Sequence, residues 1–130
     1  MPKETISLDL LVKCLDPEVI LKFDVTLMNN NIILKKEKFE LGRTEYVIKY
    51  LFDSPKTVEK IRVKIYYDRT EEISTFDTNF FIDTNSKLKI FIDHYDDYRI
   101  WLSFNNDKID ENKIKPNTVK TRWKFSRILC

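Results

Sequence analysis

Between Glu18 and Leu27 the odd positions Val19, Leu21, Phe23, Val25 and Leu27 are all apolar, and of the even ones only Ile20 is. A period of two puts one face over a core and the other in water, which is the signature of a half-buried strand. Lys60 to Tyr67 repeats it, with Ile61, Val63, Ile65 and Tyr67 inward and Lys60, Arg62 and Lys64 outward. Leu88, Ile90 and Ile92 form another inward row, as do Tyr98, Ile100, Leu102 and Phe104. Near the end Val119, Trp123 and Phe125 alternate with Lys120, Arg122 and Lys124, and the apolar set is expected to face the core.

Breakers punctuate these rows at Asp16-Pro17, Asn29 to Asn31, Gly42, Asp53 to Pro55, Asp68 to Thr70, Thr84 to Ser86 and Asp93 to Asp97. The pattern predicts nine strands, at 5–14, 18–28, 32–41, 44–52, 57–67, 72–83, 87–93, 98–104 and 118–128. β-branched and aromatic residues fill them, so propensity agrees with pattern. The expected fold is all-β: one domain over 1–130, an antiparallel, jelly-roll-like β-sandwich of about eight to nine strands. Two segments read less simply. Leu8, Leu11, Val12 and Leu15 also fit helical spacing, although Ile6, Leu8, Leu10, Val12 and Cys14 fit a strand better. Residues 105–117 show no period and are longer than an ordinary connection, which marks a contact loop.

Composition sharpens what chemistry is available. The chain of 130 residues has one glycine and no alanine or glutamine, while Ile, Lys, Asn, Phe, Tyr and Met supply nearly half of it. Those six types have AT-rich codons, so part of the skew is genomic. Phosphate-cradling loops, dinucleotide fingerprints and nucleophile elbows need glycine where backbone meets ligand or turns sharply. Gly42 alone, in a turn, cannot build them. His94 is the only histidine and sits in a polar turn, so triads and histidine-rich metal sites have little to draw on. Catalysis is not expected. Cys14 reads as a core residue and Cys130 as a terminal thiol, not as a disulfide framework. With no apolar leader and no run long enough to span a bilayer, the expected setting is a cell interior or a virion.

The candidate contact patch consists of aromatics on polar-face positions and the cations beside them. Phe91 is opposite in parity to Leu88, Ile90 and Ile92, and Trp101, next to Arg99, is opposite to Ile100 and Leu102. Tyr66 is a further outward aromatic beside the basic row Lys60, Arg62 and Lys64. If Lys120, Arg122 and Lys124 share that sheet, the two rows merge into one basic patch. Strands that alternate in direction would gather Asp68, Asp93, Asp96 and Asp97 at one end, an oxygen-rich set of the kind calcium takes.

The expected role is a non-catalytic interaction or assembly module acting through protein–protein contacts, such as a structural or accessory protein of a phage or virus. Its expected partner is a protein or a second copy of itself, with no cofactor required. The alternative is a carbohydrate-binding module with calcium-assisted glycan binding. Nucleic acid and membrane are not expected partners.

Overall fold

The computed structural model of the chain describes residues 5–14, 22–40, 44–67, 69–92, 100–105, 107–108 and 117–122. These form β1 (Ile6–Cys14), β2 (Lys22–Asn29), β3 (Ile32–Glu40), β4 (Glu45–Phe52), β5 (Lys56–Tyr66), β6 (Thr70–Ile82), β7 (Ser86–Ile92), β8 (Ile100–Phe104), β9 (Asp107–Lys108) and β10 (Asn117–Arg122). Each expected strand has its counterpart, and the two-residue β9 is additional. No helix among the described residues is long and apolar enough to cross a membrane.

The strands make two sheets, ordered β4-β1-β7-β8-β9 and β10-β6-β5-β2-β3. Every ladder is antiparallel except β1 with β7. A chain that reverses direction at each turn makes its first and seventh strands run the same way, so placing them side by side gives a parallel pair. The stretch that also fitted helical spacing is strand β1, held between β4 and β7 with Ile6, Leu8, Leu10, Val12 and Cys14 all buried.

The inward rows meet as the alternation predicts. Phe23, Val25 and Leu27 of β2 and Ile61, Val63 and Ile65 of β5 pack with Phe76 of β6, and Leu88, Ile90, Ile92, Ile100 and Leu102 complete the core from the other sheet. Aromatic contacts flank it. Phe23 stacks on Phe39 at 4.9 Å and meets Tyr46 edge-on at 5.4 Å, while Phe80 stacks on Phe104 at 4.4 Å. Tyr50 is buried beside Glu37, and burial first, then that carboxylate, pushes its phenol above the usual range.

In β10 Val119 does not take the inward position that the alternation predicts. Val119 pairs with Ile73 on the outer side of β6 and is 56% exposed. Lys120 and Arg122 instead register opposite Glu72 and Thr70. Alternation separates two faces but does not say which is inward, and Trp123 and Phe125, which weighted the choice, lie outside the described residues.

Asparagine does the work that glycine usually does. Asn29 pairs with Ile32, leaving Asn30 and Asn31 as a two-residue hairpin turn with φ of 49° and 65°. Positive φ at both positions is the turn whose twist matches the flanking strands, and asparagine tolerates it better than other non-glycine residues. Asn79, at φ 51°, sits in a bulge of β6 opposite the Val58 to Lys60 step of β5, where the Thr78 hydroxyl donates to the Val58 carbonyl at 2.7 Å. Asn31→Ala is expected to lower stability by about 1–2 kcal/mol, and Asn31→Gly to leave it level or higher. Urea midpoints would check this; equal midpoints for the two variants would contradict the turn geometry.

Candidate functional site

The outer face of the first sheet carries an aromatic pair. Phe91 and Trp101 are register partners on β7 and β8, and their rings meet edge to face at 5.4 Å and 89°. On the neighbouring strands Leu11 pairs with Val47, one row away from the aromatic pair. Diagonal neighbours in adjacent rows lie about 7–8 Å apart, within reach of aromatic side chains. Leu11, Phe91 and Trp101 are half-buried, whereas Val47 and Leu51 are 67% and 61% exposed. Between those two, Lys49 approaches Asp9 at 3.9 Å, an exposed pair that contributes little to stability.

The outer face of the second sheet mixes charge with exposed apolar groups, among them Val119 and Phe81. Register places Lys36 and Lys38 of β3, Lys22 and Asp24 of β2, Lys60, Arg62 and Lys64 of β5, and Glu71 and Asp77 of β6 on one side. Tyr66 belongs to this face. Its hydroxyl donates to Asp24 Oδ2 at 3.1 Å, and the ammonium groups of Lys22 and Lys64 lie over its ring at 4.5 and 4.9 Å. The hydrogen bond with Tyr66, with help from Glu71 at 3.4 Å, holds the Lys64 ammonium above its ordinary pKa. Its ring therefore already serves cations, which makes it a poor stacking platform. β5 and β10 do share one sheet, while Lys124 lies outside the described residues. β6 separates the two strands, Val119 takes the outer position, and the cations flanking β5 come from β2 and β3.

Of the expected contact residues, then, Phe91 and Trp101 come together, Tyr66 lies on the opposite face of the sandwich, and Arg99 is outside the described residues. So are Asp68, Asp93, Asp96 and Asp97, proposed for calcium, together with Gly42 and His94. Among the described residues no group of three or more His, Cys, Asp or Glu side chains is placed to hold a metal ion. Sequence reasoning passed over Leu11, Val47 and Leu51. The signal was present in β4, where Tyr46, Ile48, Tyr50 and Phe52 fill one parity while Val47 and Leu51 interrupt Glu45 and Lys49 on the other.

The polar interior is small. Tyr67 donates its hydroxyl to Glu72 Oε2 at 3.0 Å with both residues buried, and Tyr67 N–H donates to the Thr70 carbonyl at 2.8 Å, closing the β5–β6 turn. Ser74 and Thr118 join β6 to β10 through their hydroxyls at 2.9 Å. These groups tie neighbouring strands and a turn together.

Compared with family models, with curated proteins and with solved structures, the chain matches none.

Proposed function

We propose that this chain is a non-catalytic interaction module that works through protein–protein contacts on the outer face of its first sheet. The observation that carries the reading is the edge-to-face pair of Phe91 and Trp101, with Leu11 and exposed Val47 in the adjacent row. The outer face of the second sheet carries lysines, arginine and carboxylates together with Ile73, Phe81 and Val119. The outer face of the first sheet carries Leu11, Val47, Leu51, Phe91 and Trp101 over four adjacent strands, with Lys13, Lys49 and Lys89 between them. Apolar groups grouped on one face, with an edge-to-face aromatic pair among them, are the composition of a contact surface. Exposed Val47 and Leu51 add nothing to the core, so the fold gives no reason to keep them apolar.

Affinity capture from native extract tests this, using the wild-type chain and a Leu11→Glu/Leu51→Glu double variant of equal melting temperature as baits. The expected result is at least one stoichiometric partner, or the chain itself, retained by the wild type and reduced about tenfold or more by the variant, since each lost anchor costs about 1 kcal/mol or more. Identical capture by both baits would remove the first sheet's face from consideration.

A further inference from the structure

The four sheet edges of this sandwich are not equally protected. An edge strand offers unpaired N–H and C=O groups, and proteins guard such edges with short strands, bulges, proline or charged side chains, lysine above all. β3 carries Lys35, Lys36 and Lys38 and is bulged at Leu34. β9 is two residues long, and β10 includes Lys120 and Arg122 in six. β4 differs from all three. It runs eight residues in unbroken register with β1, has no proline, and among the described residues pairs with nothing else.

The direction of its backbone groups follows from one hydrogen bond. Cys14 N–H donates to the Thr44 carbonyl at 2.8 Å, in the register that pairs β1 with β4. Hydrogen-bonded pairs alternate along an antiparallel ladder, so the even residues Tyr46, Ile48 and Tyr50 bond to β1. The odd residues Glu45, Val47, Lys49 and Leu51 turn their N–H and C=O groups to the open side, and all four side chains are exposed on the outer face.

We propose that β4 pairs with β4 of a second copy of this chain, antiparallel and centred on Val47, so that the two first sheets become one. The charges select this register. Centred on Val47, the pairing sets Glu45 opposite Lys49 of the partner subunit, and twofold symmetry makes that contact twice. Centring on Lys49 would oppose like charges, and centring on Ile48 would set Glu45 against Leu51 of the partner subunit with no charge matched. All three keep the odd side chains on one face, so cross-strand charge decides between them. The Lys49 that would otherwise guard this edge is thereby satisfied by the partner's Glu45. The pairing uses the edge of the first sheet and leaves Leu11, Phe91 and Trp101 uncovered, so it goes beyond the contact face proposed above.

Sedimentation equilibrium of the full chain from about 1 μM to 1 mM tests it, with Glu45→Lys, Lys49→Glu and the double reversal. The wild type is expected to dimerise. Each single reversal turns two attractions into two repulsions and weakens the dimer by about tenfold or more, and the double reversal restores it. Val47→Pro removes an outward N–H without touching the β1 ladder, so it is expected to keep the melting temperature and abolish the dimer. A monomeric wild type across this range overturns the proposal, as does a double reversal no tighter than the singles. If the wild type is monomeric but capture still depends on Leu11 and Leu51, self-pairing fails while the contact surface stands.

Discussion

Replacing Phe76 by alanine is expected to lower the unfolding free energy by about 3–5 kcal/mol. Phe76 is the largest of the fully buried side chains, on a strand that pairs with β5 on one side and β10 on the other. It registers opposite Ile61, itself fully buried, and belongs to the one core cluster that also takes in Leu8, Leu10, Leu88 and Ile90 of the other sheet. Losing the ring removes its transfer free energy and leaves a void that two hydrogen-bonded sheets cannot close by sliding together. Phe76→Leu keeps most of the volume and should cost markedly less. Guanidinium melts of both variants check the point. A loss below about 1 kcal/mol for the alanine variant would mean that Phe76 does not lie between the sheets.

The second large effect is expected at the β5–β6 turn. Tyr67→Phe should cost about 1.5–3 kcal/mol, the range for a hydrogen bond to a charged group whose acceptor stays buried. The hydroxyl is one donor to a Glu72 carboxylate almost closed to water, and the backbone N–H of the same tyrosine closes the turn through Thr70. The change deletes one oxygen and keeps the ring, so cavity terms stay small. Glu72→Gln retains an acceptor and should be milder. Equal loss in both would show that charge, and not the tyrosine hydroxyl, governs the site.

How much of this was legible depends on what the alternation carries. β5 reads cleanly because Lys60, Arg62 and Lys64 label one parity as wet while Ile61, Val63 and Ile65 label the other as dry. β10 lacks that clarity at an edge, where Val119 is exposed although it belongs to the more apolar parity. Period two also names no partner. Nothing in the row Leu8, Leu10, Val12 announces that β7, far along the chain, lies parallel beside it. For the same reason Tyr66 could be read as outward but not assigned to the sheet opposite Phe91 and Trp101. Their meeting was within reach, since a hairpin joining β7 to β8 brings near neighbours together. The contrast between guarded and unguarded edges was not, because an edge exists only once the strand order is known.

The parallel pairing of β1 with β7 also sets the order in which this molecule can be made. Leu10 needs Ile48 on one side and Leu88 on the other, so β1 leaves the ribosome long before either neighbour. The hairpins β2–β3 and β5–β6 close locally, and the second sheet can form most of its ladders while the first still lacks its middle. Distant pairing carries the loop-closure cost that slows β-sandwiches to about milliseconds to seconds. Until β7 arrives, β1 is an apolar strand with one side open, and that interval is when the nascent chain most needs shielding from other chains.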